Sequence, residues 1–129
     1  MVRIRVRAPC RPTESLSKVK IAVLNMFPDA VFSREDEVVE AESRSTERLR
    51  EAIRAQKIRD SARGALFAGM GGGRLRFSLN KQAAFAGRVS FAAGSPLGDI
   101  EVEIEDGDPE ALIDTIAEST TRPPPEPLE

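Results

Sequence analysis

Val2-Arg3-Ile4-Arg5-Val6-Arg7-Ala8 and Ile100-Glu101-Val102-Glu103-Ile104-Glu105 decide the fold. In both, every second residue is apolar, the period of a strand that presses one face on a core and turns the other to solvent. The outward rows have the same spacing and opposite sign. If the two strands pair, arginines and glutamates form a salt-bridge ladder on an open sheet face, each contact worth a few tenths to ~1 kcal/mol.

Outward from the first strand, Thr13 or Ser15 caps a helix whose Leu16, Val19, Val23, Met26 and Phe27 share one side. Phe27-Pro28-Asp29 ends it, because a residue before proline is pushed out of the helical region. Residues 30–33 and 37–41 read as a short hairpin around Arg34-Glu35-Asp36. A helix from Thr46 carries Leu49, Ala52, Ile53 and Gln56 on one side. The stripe then jumps to Ile58, Ala62, Ala65 and Leu66, which predicts a break near residues 56–58 and a second helix ending at Met70. Gly71-Gly72-Gly73 is expected to cap that helix and turn into a strand at 74–80 with Leu75, Phe77 and Leu79 inward. A short helical turn or loop at 81–88 and an extended run at 89–91 precede the Ile100 strand. Asp108-Pro109-Glu110 opens a last helix.

The order β-α-β-β-α-α-β-β-β-α predicts an α+β fold, a two-layer sandwich with helices packed on one face of a mainly antiparallel sheet. Residues 1–119 read as a single domain and 120–129 as a proline-rich acidic tail.

Composition excludes several chemistries. Histidine is absent and Cys10 is the one cysteine, so no disulfide can close within the chain, and neither a His/Cys zinc site nor a Ser-His-Asp or Cys-His mechanism can be assembled. No metal, cofactor or catalytic set is expected, and the reading is not an enzyme. No apolar run reaches the ~20 residues of a membrane span, and no signal-peptide core follows the N-terminus. The expected location is cytoplasmic.

Net charge is −2, but the charges are segregated: residues 1–28, 29–42, 43–88 and 89–129 carry +5, −5, +8 and −10. The +8 block supplies Lys57 and Arg63 from the helices, Arg74 and Arg76 from a strand, then Lys81 and Arg88. Gathered on one face they would form a phosphate-neutralising field, and spread over exposed elements they would merely solvate them. Asn80-Lys81-Gln82 puts two amides, able to read base edges, around a cation, although the same trio can satisfy a strand end. Phe85 is a candidate for stacking on a base. The glycine run is a turn and not a phosphate loop, since it follows a helix and precedes a strand.

The run Leu79-Asn80-Lys81-Gln82-Ala83-Ala84-Phe85 with Gly87-Arg88-Val89, the upstream Gln56-Lys57-Ile58-Arg59-Asp60-Ser61-Ala62-Arg63, and Pro12-Thr13-Glu14, Phe27-Pro28-Asp29 and Pro96-Leu97-Gly98 resemble an archaeal family of small uncharacterised proteins often labelled RNA-binding exosome subunits. The likeness runs from about Val2 to Ile116. It implies a ribosomal-protein-like α+β fold, no established enzyme activity, and motif residues at Gln56, Arg63, Asn80, Lys81, Gln82 and Arg88. Fold likeness alone does not carry function.

The leading expectation is a non-catalytic RNA-binding module. Lys57, Arg63, Arg74, Arg76, Lys81 and Arg88 would meet phosphates, and Asn80, Gln82 and Phe85 would meet bases. Its partner would be RNA, within a homodimer or a larger RNA-processing assembly. The alternative is a protein-interaction or oligomerising subunit without nucleic acid, in which acidic and basic segments of two chains dock.

Overall fold

The computed structural model describes residues 2–91, 94, 96 and 98–119. The expected tail at 120–129 lies outside them. The elements run β1 (Arg3–Pro9), α1 (Leu16–Met26), β2 (Val31–Glu35), β3 (Val38–Ser43), α2 (Glu47–Gln56), α3 (Arg59–Ala68), β4 (Met70–Gly71), β5 (Arg74–Leu79), α4 (Lys81–Phe85), β6 (Ile100–Glu105) and α5 (Pro109–Ile116). The six strands form one antiparallel sheet in the order β2-β3-β1-β6-β5-β4. The fold is α+β, as the alternation of period-two and period-3.6 segments requires.

The two opening stretches are neighbours at the centre of the sheet. Arg3 stands opposite Glu105, Arg5 opposite Glu103 and Arg7 opposite Glu101, so the rows align as expected; ion pairs join Arg5 to Glu103 and Glu105, while Arg3 reaches Glu42 on β3. Ile4, Val6, Ala8, Ile100, Val102 and Ile104 point the other way and are buried under the helices. On β5, Leu75, Phe77 and Leu79 extend this floor. Helices lay their apolar stripes on it: Val19, Ala22, Val23 and Met26 from α1, Leu49, Ala52 and Ile53 from α2, Ala62 and Leu66 from α3, Leu112, Ile113 and Ile116 from α5. Removing that apolar surface from water is the main stabilising term.

Caps follow the sequence. Ser15 accepts from the Lys18 N–H, Asn80 from Ala83 and Asp108 from Ala111, each filling an orphan donor of a first turn. The break between α2 and α3 falls at Lys57, whose left-handed backbone (φ 58°, ψ 43°) ends the first helix.

Three local expectations change. The helix that was to reach Met70 stops at Ala68, and Met70–Gly71 is a strand. The glycine run does not cap it: Gly72 and Gly73, at φ 59° and 75°, form the two-residue loop of a β4–β5 hairpin in which Gly71 pairs with Arg74. Two successive positive φ angles match the right-handed twist of the flanking strands, which is why a two-residue loop wants Gly-Gly. The extended run at 89–91 is not a strand. Its backbone is instead held by the Gln56 side chain and by the Asn80 N–H, which donates to Ser90 O at 2.8 Å.

Gly69 has a steric reason of its own. A Cβ there would lie 1.7 Å from the carbonyl oxygen of Arg76, whose N–H donates to Gly69 O at 2.9 Å. At the far side of the sheet, the β2–β3 register shifts between Phe32 and Arg34, a bulge in the edge strand.

Candidate nucleic-acid interface

The ten side chains singled out by the sequence fall into three groups. Gln56, Asn80 and Lys81 are spent within the fold. The Gln56 amide donates to Val89 O at 2.8 Å and accepts from Val89 N at 2.6 Å, imitating a neighbouring strand. The Asn80 carbonyl caps α4 at 2.9 Å from Ala83 N. Lys81 is buried; its ammonium donates to Pro9 O at 2.7 Å and to Glu14 at 2.9 and 3.1 Å. The Lys81 ammonium is thus engaged inside the fold, and the Asn80 side-chain carbonyl in the helix cap.

A second group is exposed or half-buried beside carboxylates. Arg63 donates to Asp114 at 2.6 Å and to Ala117 O at 2.9 Å, with its guanidinium 5.3 Å from the Phe67 ring centroid. Arg76 donates to Glu103 at 2.8 Å, and Arg74 lies 3.8 Å from Glu105. The Arg76 hydrogen bond holds the Glu103 carboxyl below its ordinary range. Arg54 and Arg59 converge on Glu118, lowered in the same way, chiefly by Arg54. The +8 block therefore does not gather into one patch. Its strand arginines Arg74 and Arg76 lie on the open sheet face and its helix arginines on the opposite layer, where Arg54, Arg59 and Arg63 stand beside acids from the C-terminal third as the strand pair does.

The third group is Lys57, Gln82, Phe85 and Arg88, all exposed. Gln82 and Phe85 stand three residues apart on α4, hence on the same side of it. Asn25 of α1 fixes the end of α4 by donating to Ala84 O and Phe85 O, both at 3.0 Å. Phe85 is 43% exposed, and the Lys18 ammonium sits 5.9 Å from its ring centroid, within cation–π range. Between α4 and the start of α1 runs a groove of about 340 Å³ lined by Glu14, Lys18, Val19, Ala22, Gln82 and Phe85 among others. Arg88 follows Gly87, whose positive φ of 79° redirects the chain. Lys57 and Arg88 flank the hydrogen-bonded pair Gln56 and Val89 in sequence, so both emerge at the same end of the helical layer. Among the described residues neither forms an ion pair.

Lys18 was not singled out by the sequence. It lies 67 positions from Phe85, and no local pattern connects them; only the packing of α1 on α4 does.

Among the described residues no group of three or more Cys, Asp or Glu could hold a metal ion, and no helix is long and apolar enough to cross a membrane. Burial pushes the Cys10 thiol above its ordinary pKa, the reverse of an activated nucleophile.

A family model described as RNA binding matches residues 3–105. A UPF0201 protein of Thermococcus kodakarensis is 40% identical over 124 residues, covering 91% of this chain and 90% of the relative. One from Aeropyrum pernix is 41% identical over 132 residues, covering 94% and 88%. The crystal structure of a UPF0201 protein from Methanococcus jannaschii superposes with a TM-score of 0.83 at 38% identity, covering 89% of this chain and 98% of that one.

Proposed function

The chain belongs to this archaeal UPF0201 family, whose model carries the description RNA binding, and from that premise we propose that it is a non-catalytic RNA-binding module working through the α1–α4 side of its helical layer. The observation that supports the surface is the exposed Phe85 ring with Lys18 over it, Gln82 beside it and Arg88 just beyond. Unpaired bases stack on aromatic faces, amides read their edges, and nearby cations meet the phosphates. The sheet face does not offer this, because its guanidinium groups alternate with carboxylates.

Gln82 and Phe85 keep the base-contacting roles read from the sequence, while Lys57, Lys18 and Arg88 supply phosphate contacts. Arg63, Arg74 and Arg76 contribute less, being neutralised locally. The test is titration of an RNA hairpin with a single-stranded loop at several salt concentrations. Affinity should fall as salt rises, and each phosphate-contacting base removed should reduce the salt slope by roughly 0.7. Lys18→Ala and Arg88→Ala should weaken binding, whereas Arg76→Ala should not. No binding at low salt, or equal losses from the sheet variants, overturns the reading.

A further inference from the structure

The open face of the sheet carries charges in rows across the strands. One row reads Glu42, Arg5, Glu103, Arg76 on β3, β1, β6 and β5; the next reads Glu40, Arg7, Glu101, Ser78. The third reads Arg3, Glu105, Arg74 on β1, β6 and β5. Each strand has one sign: β3 acidic, β1 basic, β6 acidic, β5 basic.

In the order β2-β3-β1-β6-β5-β4 the midline of the sheet falls between β1 and β6. About that line the two central strands are antisymmetric in charge, β1 mirroring β6 with opposite sign in all three rows; on the outer pair Glu42 of β3 mirrors Arg76 of β5, while Glu40 mirrors the neutral Ser78 and Arg74 mirrors no acid of β3. A two-fold axis laid along this midline, parallel to the strands, turns a second copy face down and carries its β1 over β6 and its β3 over β5. Rows are preserved by that rotation. Arg5 of one copy then stands over Glu103 of the other, Arg3 over Glu105, Arg7 over Glu101 and Glu42 over Arg76.

We infer that this face is a self-complementary contact through which two copies of the chain associate sheet to sheet, related by a two-fold axis between β1 and β6. The inference does not rest on the RNA reading, and the helical layers of both copies remain outward. A two-fold contact demands that one patch complement itself, which a surface of a single sign cannot do and this one does. Polyanions are disfavoured here because five glutamates, at 40, 42, 101, 103 and 105, interleave the arginines. With strands ~4.8 Å apart and ~3.4 Å per residue, the charged area is of the order of 450 Å² per copy, the low end for specific association. Such a contact is weak and sensitive to salt.

Sedimentation velocity of the full chain at rising ionic strength reads the association, and two variants test its geometry. Arg5→Glu places like charges over Glu103 and should weaken the dimer at least ~10-fold. Exchanging the whole row, with Glu42→Arg, Arg5→Glu, Glu103→Arg and Arg76→Glu together, keeps the pairs within that row of opposite sign, while the diagonal contacts Arg3–Glu42 and Arg5–Glu105 become like-charged. It also restores complementarity between identical copies. The row-exchanged protein should therefore form its own dimer, yet native mass spectrometry of its mixture with the wild type should show two homodimers and almost no mixed species, since like charges meet in that row of a mixed pair. A wild type that stays monomeric at low salt, an Arg5→Glu protein that dimerises as the wild type does, or mixed dimers at the statistical proportion each overturn the inference.

Discussion

The Lys81 ammonium lies 2.9 Å from Oε2 of Glu14, with the two side chains only 7% and 10% exposed. The pair joins the start of α4 to the turn between β1 and α1, and the Pro9 carbonyl completes it. Removing one partner leaves the other charge buried without compensation, at a cost of ~3–5 kcal/mol. Lys81→Met should accordingly lower the urea midpoint sharply. If it leaves stability unchanged and instead lowers RNA affinity, Lys81 is a ligand and not a tie.

Gly69→Ala should destabilise by at least ~1–3 kcal/mol, since the new methyl group meets the backbone oxygen of Arg76, which cannot turn aside as a flexible side chain would. Gly71→Ala is the control, with open space around its Cβ position and no positive φ. Equal melting temperatures for the two variants would contradict the close approach.

Phe85→Ala should weaken binding of a single-stranded loop by ~1–3 kcal/mol, with a salt slope close to that of the wild type, because stacking is not electrostatic. Arg88→Ala should do the opposite, flattening the slope. A Phe85 variant indistinguishable from the wild type would remove the stacking platform from the proposal.

Glu103 and Glu118 titrate below the ordinary 4.5, each drawn down first by its arginine hydrogen bond, and Asp36 below 3.8, by the Val38 N–H and Arg34. Folded pKa values that lie below the unfolded ones give stability that is present above the unfolded pKa and lost as pH falls through the folded one. Melting temperature should therefore fall on acidification through and below the ordinary carboxylate range. Glu118→Gln should show a shallower fall than the wild type; identical acid profiles would mean that this pair adds nothing.

Cys10 is buried, and desolvation raises its thiol pKa. A thiol reagent should modify it slowly in the native protein and rapidly in denaturant. Fast native labelling would show that the segment after β1 opens locally.

The strands were legible where alternation is strict, as at Arg3 to Ala8 and Ile100 to Glu105, because a period of two leaves no other way to bury one side. The α2–α3 break was legible too, since the apolar stripe changes sides at Ile58. Met70–Gly71 and the segment at Val89 were not: the first is too short to show a period, and the second is held by the Gln56 amide in place of a strand. The same limit applies to the site. Asn80, Lys81 and Gln82 are adjacent polar residues, but what separates the outward Gln82 from the inward Lys81 is Glu14 and Pro9, about seventy positions away. The basic block misleads for a related reason, as helix and strand arginines close in sequence end on opposite layers.

The sheet's two outer strands are poor templates, one only two residues long and the other bulged between Phe32 and Arg34. Backbone donors and acceptors at those margins do not present the long straight row that an incoming chain needs. Even when concentrated or warmed close to unfolding, folded molecules should resist zipping together into fibres, although Val31 leaves a bare hydrophobic side chain on one rim.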